Sequence, residues 1–154
     1  MEIRRYADSD ASAVKVLHKI AMEDVGAFIP GPWDADMDAI SETYLNGRGE
    51  FLVGCVDGVI VAMGAFRPVN DTTAEIKRLR VHPERQRQGF GRDVLERLEL
   101  TAKQLGYSQL QLDTMENQVG AIQFFQKQGY RHFSTRTGKG RNQLLFAKTL
   151  SSAD

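Results

Sequence analysis

The sequence predicts a mixed α/β domain with its elements in the order β-α-α-β-β-β-α-β-α-β-β. Three observations carry that prediction. Phe51 to Val56 and Val59 to Phe66 are β-branched and aromatic runs joined by Asp57-Gly58, a dipeptide suited to a two-residue hairpin whose turn positions need positive φ. Phe90, Val94, Leu98, Ala102 and Leu105 recur at helical spacing within a charged stretch, the pattern of an amphipathic helix. Finally, 154 residues with 42% hydrophobic and 26% charged side chains suit a single soluble domain over 1–154 that can bury a core.

Each element follows from local chemistry. Glu2 to Arg5 alternates as a short opening strand, and Asp8-Ser9-Asp10 supplies capping side chains for a helix carrying Val14, Leu17, Ile20 and Ala21. Gly26 to Asp36 is rich in glycine and proline and reads as a loop. Ala39, Ile40, Tyr44 and Leu45 suggest a second short helix. The hairpin strands come next, followed by a turn over Pro68 to Thr72 and a strand over Ala74 to Val81. In that strand Ile76 and Leu79 fall out of period two, which predicts a bulge near Arg78. The amphipathic helix starts in a Gly-containing segment and stops at Gly106. Leu110 and Leu112 share one face of a strand, and Val119, Ala121, Ile122 and Phe125 form a helix closed by Gly129. Tyr130 to Thr135 and Leu144 to Leu150 read as closing strands around a polar loop.

Several function classes are disfavoured. The longest apolar run, Val59 to Phe66, is eight residues, against the roughly 20 of a membrane-spanning helix. The opening residues lack the apolar stretch of a secretory signal. Cys55 is the only cysteine, which argues against a disulfide framework and for a cytoplasmic setting. His18, His82 and His132 have no evident partner in the pattern, so no triad and no metal site is expected. The net charge of zero hides an asymmetry: residues 1–75 hold 13 acids and 6 bases, and residues 76–154 hold 7 acids and 14 bases. That points to an anionic ligand on the second half. A nucleic-acid surface is disfavoured, because the basic stretch has Phe90 as its one aromatic.

The stretch from Val81 to Leu95 carries the chemistry. A strand ends, a loop with Gly89 and Gly91 follows, and a helix begins, flanked by Arg85, Arg87 and Arg92. Helix N-termini offer unpaired N–H groups and a positive dipole end, and glycines let an anion approach the backbone. The physical reading is a pyrophosphate cradle. A third glycine of the dinucleotide type is missing, as is the Gly-Lys-Ser/Thr of a nucleoside-triphosphate loop.

Gln86-x-x-Gly89-x-Gly91, the preceding Ala74 to Pro83 and the later Ala121 to Tyr130 resemble the signature loop, fourth strand and following helix and strand of the GNAT superfamily of acetyl-CoA-dependent N-acetyltransferases. The resemblance implies a mixed, mostly antiparallel sheet of about seven strands flanked by four helices, with strands four and five splayed. It implies that acetyl-CoA places its pyrophosphate on Gln86, Arg87, Gln88, Gly89, Phe90, Gly91 and Arg92. Its pantetheine arm would run along Leu79, Arg80 and Val81. Glu75 falls where many members carry the base that deprotonates the amine. An alkyl ammonium has a pKa near roughly 10.4 and only the neutral amine attacks.

Two positions depart from the family pattern. The tyrosine that protonates the departing thiolate maps onto Phe125, which has no proton to give; Tyr130 is a candidate replacement. The family asparagine maps onto Gln118, with Asn117 beside it. Phe28 and Trp33, with Asp34, Asp36 and Asp38, lie where the family walls its acceptor pocket, and such groups would suit a cationic amine. The expected activity is acetyl transfer to a primary amine of a small molecule, by direct attack in a ternary complex without metal. The rivals are a non-catalytic acyl-CoA sensor, acetylation of protein N-termini or lysines, and a nucleotide-binding regulator. A homodimer stands among the open oligomeric states.

Overall fold

The computed structural model describes residues 1–29, 31–138 and 140–151; Pro30, within the expected loop, lies outside them. The strands β1 (Glu2–Arg5), β2 (Glu50–Val56), β3 (Val59–Pro68), β4 (Thr73–Val81), β5 (Gln109–Met115), β6 (Arg131–Gly138) and β7 (Arg141–Thr149) form a seven-stranded sheet in the order β1-β2-β3-β4-β5-β7-β6. Helices α1 (Ala11–Asp24), α2 (Phe90–Gln104) and α3 (Val119–Lys127) connect them. Neighbouring strands are antiparallel except β4 and β5.

The helix expected over Ala39 to Leu45 is replaced by a 3-10 stretch, Pro32–Asp38, and a single π turn, Ser41–Leu45. The described chain therefore has three α-helices where four were expected. Met37, Ile40 and Tyr44 are buried there, and the Tyr44 hydroxyl donates to Asp36 Oδ2 at 2.6 Å. Tertiary burial and that bond set the turn type, which local periodicity does not report. The closing hairpin is also longer than expected, because Arg136 to Gly138 and Arg141 to Gln143 pair across it instead of forming a loop.

The β2–β3 hairpin turns at Asp57 (φ 50°) and Gly58 (φ 78°), as the Asp-Gly pair requires. In β4, Met63 faces Arg80 and Ala65 faces Lys77, so Gly64 alone faces both Arg78 and Leu79. This is the bulge expected near Arg78, and Arg78 takes the left-handed conformation, φ 57°. Gly64 is needed there. A Cβ on it would lie 3.0 Å from side-chain atoms of Leu79, Val94 and Leu98, so α2 could not pack this close.

Two apolar layers result. Ile76, Leu79 and Val81 pack with α2 and α3, in the layer that holds Val94, Leu98 and Phe146. Met63 and Ala65 lie on the other face with Val14 and Leu17 of α1, Tyr44 and Phe51. The cross-strand partners put Glu75, Lys77 and Arg80 of β4 on this α1 face.

The parallel contact between β4 and β5 is short. It comprises Thr73 with Gln109, Ala74 with Leu110 and Glu75 with Gln111. Beyond Glu75 the strands diverge, and β5 continues to Met115 paired only with β7. A gap opens between them, and its floor is the second half of β4.

Candidate active site

The loop from His82 to Gly89 leads from β4 into α2. His82 Nδ1 accepts from the Glu84 N–H at 3.1 Å, and Arg85 N–H donates to His82 C=O at 2.8 Å, which tightens the first turn of the loop. Thereafter the bonding stops. Asp93 N–H, donating to Gly89 C=O at 3.0 Å, opens the ladder of α2. Among the described residues no backbone or side-chain acceptor takes the N–H groups of Gln86 through Arg92. Arg87 (φ 65°) and Gly89 (φ 80°) are both left-handed, an arrangement that turns successive N–H groups toward a common concavity. Arg85 and Arg87 pair with no carboxylate among the described residues, and Arg92 reaches Asp93 and Glu96 only at 3.9 Å. Open N–H groups, a helix N-terminus and unpaired cations together make an anion cradle. Gly91 lies against Val81 and Phe124, so the cradle sits on the end of β4.

The gap beside it has the polarity of an unfilled sheet position. His82 N–H donates to Val61 C=O at 2.8 Å, and Arg80 faces Met63 two residues earlier. The backbone groups of His82 and Arg80 therefore point to β3, and those of Val81 and Leu79 point away from it into the gap. An extended amide-bearing chain could pair with them there. Arg80 was expected on the cofactor strand along with Leu79 and Val81, but its backbone is committed to β3 and its side chain leaves on the α1 face.

That face carries most of the site's charge. Glu75 stands at the last β4–β5 pair, where the gap begins, with Lys77 Nζ at 3.4 Å and Arg67 at 3.7 Å from its carboxylate. Arg78, thrown out of the strand by the bulge, forms a clamp on the segment before the π turn. Its guanidinium bonds both oxygens of Asp36, reaches Asp34 Oδ1 at 2.9 Å and donates to Trp33 C=O at 3.3 Å. Asp34 in turn accepts from His18 Nε2 at 2.9 Å. Burial raises the Asp36 carboxyl, but the hydrogen bonds from Arg78 and Tyr44 outweigh it and hold the group below the usual value. Burial pushes His18 down against the pull of Asp34, so the imidazole is neutral near pH 7. Its Nε2 carries the proton, since the carboxylate can only accept, and Nδ1 is buried with no partner among the described residues.

The chain matches the model of the acetyltransferase (GNAT) family over residues 16–130. It belongs to the GNAT acetyltransferase family. It is 33% identical over 102 residues to human N-acetyltransferase 8, a match covering 62% of this chain and 45% of that protein; the chain thus spans about half the length of such relatives. Among solved structures it is similar to an acetyltransferase of Streptococcus agalactiae 2603, with a TM-score of 0.87 and 21% identity, over 97% of this chain and 98% of that one. It is also similar to the Salmonella typhimurium protein yncA, solved with its cofactor acetyl-CoA, with a TM-score of 0.80 and 19% identity, over 99% and 95% of the two chains.

Seen as a GNAT domain, the structure sorts the remaining expected residues. Phe125 lies on α3, half-buried and edge-on to Phe124 and Tyr130, with ring centroids 5.2 and 5.7 Å away. Tyr130 cannot stand in as an acid in the gap: it is buried, and its hydroxyl is committed to Glu99 of α2, donating to Oε2 at 2.8 Å. Burial and the Glu99 charge raise its pKa. Gln118 precedes α3 and Asn117 is exposed; neither side chain caps the helix, so both amides are free for a ligand.

The acceptor side carries its own ion pairs. Trp33 is 70% exposed and Phe28 half-buried under Lys19, as a pocket wall allows. The carboxylates expected to draw a cationic amine already make ion pairs within the protein: Asp34 and Asp36 share Arg78, and Asp38 pairs with Lys15. Sequence reasoning treated Arg78 as a bulge position and missed the clamp. An arginine at a predicted bulge facing an Asp-x-Asp-x-Asp loop was the available signal. Among the described residues no group of three His, Cys, Asp or Glu side chains could hold a metal ion, and no helix is long and apolar enough to cross a membrane.

Proposed function

We propose that this chain transfers the acetyl group of acetyl-CoA to a primary amine of a small molecule, by direct attack within a ternary complex. The observation that carries the reading is the unbroken run of unpartnered N–H groups from Gln86 to Arg92 at the mouth of the β4–β5 gap. Gln86, Arg87, Gln88, Gly89, Phe90 and Gly91 would hold the pyrophosphate, with Arg92 beside it. Leu79 and Val81 would pair with the pantetheine amides through backbone groups, and Gln118 or Asn117 through a side-chain amide. Acetyl-CoA supplies the acetyl group as a thioester. The backbone N–H groups at the bulge are the donors available to a developing oxyanion. Glu75 takes the proton from the acceptor ammonium, directly or through a water, from its place where the gap begins. No residue supplies an acid at position 125, and a thiolate with a pKa near roughly 8.5 can leave unaided. Cys55, the one thiol, is buried in β2 among core side chains, which supports direct attack over an acyl-cysteine. A reducing, cytoplasmic setting suits that free thiol.

Phe125 favours one second reading, a protein that binds acyl-CoA without turning it over. Calorimetric titration with acetyl-CoA tests what both readings share. Gly89→Val puts a β-branched side chain at φ 80° on the surface of the cradle, where the strain costs about 1–2 kcal/mol and the side chain covers the N–H groups. The folded variant should lose acetyl-CoA binding. Unchanged affinity in folded Gly89→Val would overturn the cradle.

A further inference from the structure

Arg67, Lys77 and Arg78 each approach a carboxylate within 4.0 Å. Together with Arg80 they are the cations of β3 and β4. Arg80 pairs with no carboxylate among the described residues. Among those residues its one side-chain bond runs from NH1 to Leu79 C=O, at 2.8 Å. Its Nε is buried without a partner, and NH2 makes no bond to any described residue. The Nε–NH2 edge is the side of a guanidinium that grips a carboxylate with two parallel bonds. Burial, with the neighbouring Arg78 charge, pushes the Arg80 pKa down to about 10, still protonated near pH 7. A part-buried cation that bonds no carboxylate carries a desolvation cost. The nearby carboxylates of Asp34 and Asp36 pull on Arg80 across space, but their direct bonds go to Arg78, and those of Glu75 to Arg67 and Lys77.

The position of the unused edge tells what could fill it. NH1 is tied to the carbonyl of Leu79, whose backbone faces the gap, so the guanidinium stands at the edge of the gap on the α1 face. The cradle of Gln86 to Arg92 is beyond the end of β4, and α2 packs on the other face. An anion at Arg80 is therefore separate from the pyrophosphate and close to where the acyl acceptor must meet the gap. Across this face the carboxylates of Asp34, Asp36, Asp38 and Glu75 meet Lys15, Arg67, Lys77, Arg78 and Arg80, so the cations exceed the anions by one, and Arg80 is the cation that bonds no carboxylate among the described residues.

We propose that Arg80 binds a carboxylate of the acyl acceptor, so that the acceptor is an amine with its own carboxylate close to the nitrogen, of the α-amino acid kind. The inference rests on the acetyl transfer proposed above and narrows its substrate class. Arg80 acts as a specificity-determining residue: it orients the amine toward the gap by holding the neighbouring group.

The test uses matched acceptors, such as phenylalanine, its methyl ester and phenethylamine, with several other α-amino acids and their esters. Two readouts are taken on wild type, Arg80→Gln and Arg80→Lys: thiol release from acetyl-CoA, and the thermal shift that each acceptor causes in the CoA-loaded protein. A charge-assisted pair corresponds to about a 10- to 100-fold preference. Wild type should favour the acids over the esters by that factor, mainly through KM. Arg80→Gln should collapse the ratio to near one, and Arg80→Lys, with a point charge in place of the fork, should fall between. Comparing the ratio between proteins cancels the intrinsic reactivity difference between acid and ester. The melting curves show whether each variant is folded; Arg80 makes one bond to the backbone, so Gln should be tolerated. Thiol release with no acid preference, or a preference retained in Arg80→Gln, overturns the carboxylate site and leaves acetyl transfer standing. An Arg80-dependent shift by acids with no thiol release keeps the site and overturns the transfer. Neither shift nor release with any acceptor overturns both.

Discussion

The clamp of Arg78 on Asp34 and Asp36 makes the sharpest prediction about how the acceptor side is held. The side chains of Arg78 and Asp36 are 12% and 14% exposed, and that of Asp34 28%. Replacing Arg78 by Ala leaves two carboxylates close together in a half-buried site with no cation between them. Breaking a buried pair from one side costs about 3–5 kcal/mol; partial exposure of Asp34 brings the expectation to about 2–4 kcal/mol. For a domain of this size that is a fall in Tm of about 5–15 °C. An opposing effect separates this account from simple loss of a side chain. Arg78 sits at φ 57°, where a non-glycine residue costs about 1–2 kcal/mol. Arg78→Gly should therefore be more stable than Arg78→Ala, by about 1 kcal/mol, although it removes more atoms. The pH dependence has a defined sign as well. Asp36 titrates below its ordinary value in the folded protein, so its contribution is present above about pH 3.9 and is lost as pH falls through the lower, folded value. Arg78→Ala should lack that component. Thermal and urea unfolding of both variants from pH 3 to 7 measures all of this. An Arg78→Ala protein as stable as wild type, or an Arg78→Gly protein less stable than Arg78→Ala, would refute the clamp.

Three further outcomes are expected. Glu75→Gln should slow acetyl transfer about 10²–10⁴-fold near neutral pH and recover in part at alkaline pH, where more of the amine is neutral; a wild-type rate across pH 6 to 9 (roughly, the range below the amine pKa) removes Glu75 from the mechanism. Phe125→Tyr puts a hydroxyl at the position that matches the family's tyrosine and should be as fast as wild type or faster, as read by thiol release; a slower enzyme means that another group has taken the role. His18 is buried with its pKa lowered, so the unfolded chain binds its proton first and stability falls as pH drops through about 6.5. Unfolding of His18→Gln between pH 7 and 5 should show a smaller loss than wild type, and an equal loss contradicts the neutral, Asp34-bonded imidazole.

Much of this arrangement is legible in the sequence wherever the cause is local. Asp57-Gly58 announces a turn that only positive φ can close. The break in alternation at Ile76 and Leu79 announces the bulge, and the glycines at 89 and 91 announce where a ligand can approach the backbone. What was hidden depends on contacts between distant segments. The Arg78–Asp36 pair joins positions 42 apart, so no local pattern separates an acidic loop that attracts a cation from one whose carboxylates are already bonded. The π turn at Ser41–Leu45 likewise follows from burying Tyr44 while its hydroxyl reaches Asp36. Tyr130 looked available as an acid because its partner, Glu99, comes from another element. The unused edge of Arg80 could not be read either, since it becomes visible only once its neighbours' partners are known.

The central claim is that this fold transfers acetyl groups to amines, and one measurement reaches it without any variant. The wild-type chain is mixed with acetyl-CoA and a broad panel of amines, free thiol is followed continuously, and the acceptors are weighed by mass spectrometry. The account predicts thiol release above the uncatalysed rate for a subset of amines, matched mole for mole by acceptors heavier by one acetyl group. Tight binding of acetyl-CoA with no thiol release and no acetylated product for any amine in the panel would contradict it.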